Sequence, residues 1–251
     1  MKLIDITAYF GKWPHWPISV TTSKALIELM DKWKIDQAVV ASLRSVFLNC
    51  ADGHQELCDL VKEYPKRIIG FAMVSPKDEK SALAQVEQTY KDGCKGLRLF
   101  PQHHQYRLDD DPTLEAILNL AQDYNLPVHI PSRIMLHWGL PQLDVREVEG
   151  VAARFPKVNF IVGGLNYSEV RDTLGVMRRR SNVFFETSCL QMVRGIETFV
   201  EKAGADRVLF GTGLPLQYPS PGIAKIAHAE VSDGDKEKIF GLNAQNLLGL
   251  K

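Results

Sequence analysis

Eight short apolar runs recur along this chain, and a helical pattern fills each gap between them. The runs cover residues 3–9, 37–42, 67–74, 97–100, 127–130, 159–162, 183–186 and 207–210. Most carry no inside–outside alternation, so they read as strands buried on both faces, the habit of parallel sheets. The intervening text has helix punctuation. Ser23 opens a segment with Leu26, Ile27, Met30 and Trp33 on one face, and residues 50–63 run up to the breaker Pro65. A third helix covers 81–91 and stops at Asp92-Gly93. Asp111-Pro112 reads as N-cap and N1 of another, with Leu114, Ile117, Leu118 and Ala121 inward. Further helices are expected over 144–154, from a Ser168 cap to 180, over 192–202, and ending near Leu248. Eight strands alternating with helices through right-handed crossovers predict an α/β fold, the (β/α)8 TIM barrel. An open doubly wound sheet is the fallback, but no Gly-rich phosphate turn follows the first strand.

The length of 251 residues suits one such barrel without division, so residues 1–251 are expected to form a single domain. Thirty basic and 30 acidic residues cancel, which gives no support for nucleic-acid or membrane-surface binding. Arg178, Arg179 and Arg180 read as a solvated helix end. No run reaches the ~20 apolar residues of a membrane span. Cys50, Cys58, Cys94 and Cys189 form no C-x-x-C pair and read as free thiols, so a soluble cytoplasmic protein is expected.

Three stretches carry more than architecture: 5–11 (DITAYFG), 96–101 (GLRLFP) and 205–215 (ADRVLFGTGLP). The last resembles the final barrel strand of the metal-dependent amidohydrolases, whose usual text is close to ADRVLFGSDYP. The resemblance extends over nearly the whole chain. Residues 67–76 (RIIGFAMVSP), 108–130 (LDDDPTLEAILNLAQDYNLPVHI), 155–164 (FPKVNFIVGG) and 243–250 are similar to successive family segments in order and spacing. It implies a barrel of the metal-dependent-hydrolase type, related to the carboxymuconate-semialdehyde decarboxylases.

The resemblance also places the family's metal ligands. The two histidines of strand one fall on Thr7 and Tyr9, and those after strands five and six on Pro131 and Gly164. The aspartate after strand eight falls on Gly213. Threonine, tyrosine, proline and two glycines cannot supply the three donors a catalytic zinc needs. The chain is therefore expected to be a degenerate, metal-independent member with no metal site and no cofactor. A zinc site rebuilt from His15, His103, His104 and His137 is the alternative.

Candidate site residues follow from position. Arg98, His129, Tyr9 and His137 are the catalytic candidates, and Arg133, Trp13, Trp138, Asn166 and Arg44 the ligand-binding ones, all in or beside the strand ends that face the mouth. Guanidinium groups suit a small anionic substrate. The bland reading pairs each arginine with an acid such as Glu186 or one of Asp109, Asp110 and Asp111. For His129 it is a core histidine hydrogen-bonded to a neighbour. Trp13, Trp16, Trp138 and Tyr167 read as lining, lid or plug. Two function classes remain open. One is a hydrolase or lyase that acts on a small carboxylate, lactone or sugar acid without metal, as the related pyrone-dicarboxylate lactonases do. The other is a pseudoenzyme barrel that binds a small anion or a protein partner, homo-oligomer included.

Overall fold

The computed structural model describes residues 1–109, 111–137 and 139–250, without the side chains of Glu79 and Lys80. Asp110 and Trp138 lie outside the described residues. Eight strands form one sheet in sequence order: β1 (Ile4–Phe10), β2 (Gln37–Ser42), β3 (Ile68–Met73), β4 (Gly96–Arg98), β5 (Val128–Pro131), β6 (Phe160–Gly163), β7 (Val183–Glu186) and β8 (Val208–Leu209). All seven consecutive pairs are parallel. Ile6 N donates to Phe210 O at 2.9 Å and Tyr9 N to Leu214 O at 2.8 Å, which joins the end of β8 to β1 and closes the barrel.

The main helices are α1 (Ser23–Lys32), α2 (Leu43–Phe47), α3 (Cys50–Glu63), α4 (Glu79–Lys91), α5 (Pro101–His104), α6 (Pro112–Asp123), α7 (Val145–Arg154), α8 (Val170–Arg179), α9 (Gly195–Ala203), α10 (Pro219–Ala227), α11 (Asp233–Glu237) and α12 (Asn243–Leu248). Asp111 caps α6 as the sequence predicts, its carboxylate accepting from Leu114 N at 3.0 Å. Leu114, Ile117 and Leu118 on that helix are fully buried, and each contributes roughly 1.5–3 kcal/mol of transfer free energy. Three helix starts differ from expectation, and α4 begins at Glu79 rather than at residue 81. Asn166 rather than Ser168 caps the turn before α8, in a capping box with Glu169, and its side-chain oxygen also accepts from Gln191 N across the loop. Residues 192–194 are held in a turn, Gly195 N bonding Met192 O at 3.2 Å, so α9 begins at Gly195.

Inside the barrel, Ile4, Ile6, Val39, Ile69, Phe71, Ile161 and Leu209 pack together as an apolar floor. Phe71 lies flat against the bare Cα of Gly96. Toward the C-terminal ends, a second cluster contains Tyr9, Ala41, Met73 and Phe100, with Trp13 and Ile134 from the loops. The layer between them is polar.

Candidate functional site

That polar layer begins with a break in β1. Asp5 pairs with Ala38 but Ala8 pairs with Val40, so Ile6 and Thr7 oppose a single residue of β2. Such a bulge disrupts the ladder locally. Arg98 on β4 compensates: Nη1 donates to Ala8 O at 3.0 Å and Nη2 to Ile6 O at 3.1 Å. Its guanidinium carbon lies 5.1 Å from the centre of the Tyr9 ring. Arg98 is completely buried, and burial pulls its pKa down from 12.5, opposed by the nearby Tyr9 and Glu186.

Two buried acids flank the arginine. Asp5 accepts from Thr7 N at 2.9 Å and Thr212 N at 3.0 Å, and from the Thr212 hydroxyl. Burial outweighs these bonds and pushes its pKa up to about 7. Glu186 at the end of β7 accepts from Gly164 N at 2.8 Å, Ser188 N at 2.7 Å and Ser188 Oγ at 2.9 Å. Its carboxylate fills the space left by two glycines: a Cβ at Gly163 or at Gly211 would overlap it. Lys225 reaches in from α10 to the carbonyls of Thr187 (2.8 Å) and Leu190 (2.7 Å), and burial lowers its pKa to about 8. These charged groups are bonded chiefly to peptide N–H and C=O.

His129 on β5 sits next to Arg98 in register and is fully buried. The expected hydrogen-bonded core histidine is not found, since neither ring nitrogen has a partner among the described residues. Burial, reinforced by the adjacent Arg98 charge, holds its pKa well below 6.5, so the imidazole stays neutral. Tyr9 Oη, Thr7 Oγ1 and Arg98 Nε also lack partners, and burial raises the Tyr9 pKa.

Above this chamber the mouth is closed. Trp13 packs edge-on against His15, Trp16 and Phe47 at ring separations of 5.0, 5.2 and 5.4 Å. Phe47 and Phe100 each touch His103, whose pKa burial lowers to about 4. Trp16 meets His137 at 5.5 Å. The backbone of Arg133 lies where a Cβ on Gly164 would stand, and the Gln217 amide lies where one on Gly213 would stand.

The candidates are therefore divided. Arg98, His129 and Tyr9 meet in the buried chamber, with Trp13 above them. Arg133 pairs with Glu169, and Arg44 pairs at the surface with Asp52 at 3.4 Å. Asn166 accepts from Tyr167 N and Gln191 N as a loop brace. The His137 ring accepts from Gly139 N at 3.2 Å, outside the chamber. The three arginines expected around one cavity do not converge. Asp5, Thr212 and Ser188 were missed. The first lies in the quoted β1 motif, but its role depends on a hydroxyl 207 residues away.

A family described as Amidohydrolase matches residues 23–250. No curated protein matches the sequence. Among solved structures, the 5-carboxyvanillate decarboxylase of Sphingomonas paucimobilis superposes with a TM-score of 0.80 at 15% identity, covering 100% of this chain and 99% of that one. A 2,6-dihydroxybenzoate decarboxylase from Rhizobium gives 0.81 at 16% identity, over 99% and 98% of the two chains. A dihydroxybenzoic acid decarboxylase from Polaromonas, holding manganese and 2-nitroresorcinol, gives 0.82 at 16%, over 99% and 97%. At these identities the likeness is one of fold.

The manganese of that last structure provides a test. At the positions the sequence resemblance assigns to metal ligands, Thr7 and Tyr9 offer only hydroxyls, Pro131 no side-chain donor, and Gly164 and Gly213 have Arg133 and Gln217 in the way. The two buried acids are bonded to backbone N–H and hydroxyl donors of β1 and the loops after β6, β7 and β8. Among the described residues, Asp5, Glu186 and His129 do not bring donor atoms into one coordination sphere. This donor set does not fit a divalent cation.

Proposed function

Because the chain belongs to the amidohydrolase family while its barrel mouth is built shut, we propose that it is a pseudoenzyme, a barrel used for binding rather than for metal-centred turnover. One observation carries this reading: Tyr9, Arg98 and His129, the side chains placed to do chemistry, are completely buried beneath an aromatic plug. A substrate would have to displace Trp13 and its ring neighbours to reach them. The loop face above the plug instead exposes Trp16, Leu48, Tyr167, Met192, Val193 and Tyr218, which supports contact with a protein partner, a second copy included. Balanced charge argues against nucleic acid or a membrane surface as that partner. No helix among the described residues is long and apolar enough to cross a membrane. The four free, buried thiols support a reducing compartment such as the cytoplasm.

The test uses the substrates that the similar structures name. The protein is incubated with 2,6-dihydroxybenzoate and with 5-carboxyvanillate, with added manganese or with chelator. No carbon dioxide release above the blank is expected in either condition, and manganese-dependent release would overturn the reading. A second reading is favoured by one observation, the unpartnered polar atoms of Tyr9, Arg98 and His129 in a single chamber. It is a metal-free hydrolase or lyase acting on a small carboxylate, lactone or sugar acid. Turnover that persists in chelator and disappears in His129→Ala would favour it over the first.

A further inference from the structure

A different group of side chains meets outside the barrel, behind β3. His54 and Cys58 are one turn apart on α3 and share a face. Across from them the chain leaves α4 through Asp92 and reverses at Gly93, whose φ of +79° suits only glycine without strain. That turn brings both Asp92 and Cys94 against α3. Space for the Cys94 thiol comes from β3, where a Cβ on Gly70 would stand 2.8 Å from its sulfur. The donor atoms face one another. His54 Nε2 lies 3.4 Å from Cys58 Sγ and 2.8 Å from Asp92 Oδ2, and Cys58 Sγ lies 3.6 Å from Asp92 Oδ2. The ligand atoms of His54, Cys58 and Cys94 all lie within 4.8 Å of one another.

We infer that His54, Cys58, Asp92 and Cys94 form a zinc site, a structural clasp between α3 and the turn that follows α4. Zinc bonded to sulfur, imidazole and carboxylate at its usual distances sets tetrahedral edges of about 3.4–3.8 Å. Two of the measured separations already have that length. The His54–Asp92 contact must open by roughly 0.6 Å and Cys94 must close by at most about 1 Å to complete the sphere. Two thiolates with one imidazole select zinc over the harder cations. On binding, the two thiol protons leave to solvent, and the imidazole proton occupies Nδ1, which has no partner in the absence of metal. The Cys58 and Cys94 side chains are buried, whereas those of His54 and Asp92 are 15% and 29% exposed, which leaves the ion an entry side. The inference is independent of the proposed function, because the site lies outside the barrel and no turnover passes through it.

The experiment uses the full chain, reduced and stripped of metal. It is titrated with Zn2+ against a chromophoric competitor, and with Co2+ read by the sulfur-to-cobalt charge-transfer absorption. One equivalent with a thiolate band is expected. Affinity should fall at least tenfold in Cys58→Ser and in Cys94→Ser, and measurably in Asp92→Asn, whose partly exposed position keeps the fold intact. Absence of the cobalt–thiolate band in folded wild-type protein would overturn the inference. So would unchanged affinity in Cys58→Ser and Asp92→Asn. A Cys58–Cys94 disulfide that forms readily, with no zinc bound once it is reduced, would replace the clasp with a thiol pair. A zinc equivalent lost in Cys58→Ser, with carbon dioxide release absent throughout, leaves the proposed function standing.

Discussion

The chamber inside the barrel and the cluster behind β3 both gather titratable side chains, but they satisfy them differently. In the chamber, Arg98 bonds the carbonyls of Ile6 and Ala8, Asp5 bonds the amides of Thr7 and Thr212, and Glu186 bonds those of Gly164 and Ser188. Each charge repairs a place where the backbone departs from its ladder. In the outer cluster, His54, Cys58 and Asp92 bond one another and leave the peptide groups alone. Side chains committed to backbone define a structure, whereas side chains aimed at a common point define a place for something else. A conspicuous charge inside a barrel is thus a poor guide to chemistry until its partners are known.

The sharpest way to break this contrast is to remove Arg98. Arg98→Ala strips two buried carbonyls of their donors and leaves the nearby acids without their cation, so a loss of about 3–5 kcal/mol is expected. For a domain of this size that lowers Tm by on the order of 10 °C, readable by calorimetry. A loss below 1 kcal/mol would show that the chamber is not structural.

Asp5 gives the next largest effect, as a slope against pH. Its folded pKa of about 7 lies above the ordinary 3.8, so between these values the folded chain keeps a proton that the unfolded chain releases. Its contribution is most favourable at low pH and is lost as pH rises from about 4 to about 7, by on the order of a few kcal/mol. His129 acts in the opposite sense: its depressed pKa costs stability as pH falls below 6.5. Denaturant unfolding of wild type and Asp5→Asn across this range isolates the first effect, since the amide mimics the protonated acid. The variant should lose the Asp5 slope, and parallel curves would contradict the assignment.

Gly164→His, which restores a histidine at the family's position, should cost about 1–3 kcal/mol, because the residue has φ of +66° and its Cβ would overlap the Arg133 backbone. Added manganese should not recover that loss. Smallest of all, Asp92→Asn in metal-free protein should change stability by less than about 1 kcal/mol, since its bond with His54 is partly exposed. A cost comparable to that of Arg98→Ala would make the outer cluster structural too and erase the comparison.

The barrel was legible because eight buried runs recur with helical text between them, and β2 and β7 were placed to the residue. The site was legible only as a set of positions. Arg98 was singled out as a catalytic candidate at the mouth, whereas the bonds it makes depend on the bulge between Asp5 and Ala8, which the text DITAYF does not display. The place for Glu186 is made by Gly163 and Gly211 on two other strands, a fact of three dimensions. In the outer cluster, Cys58 read only as a free thiol and His54 was not singled out. Asp92-Gly93 read only as a stop signal, and Cys94 lies 36 residues beyond Cys58, so the convergence came from packing.

The bonds from Asp5 to Thr212 join residues 207 positions apart. Synthesis at about 5–20 residues per second therefore separates them by roughly 10–40 s. For that interval β1 has β2 on one side and nothing on the other, and Asp5 has no hydroxyl to meet. The first strand made must wait for the last. Any chain interrupted before Thr212 keeps an open sheet edge beside a solitary buried-type acid, so the polar ring within this barrel also distinguishes a finished molecule from an unfinished one.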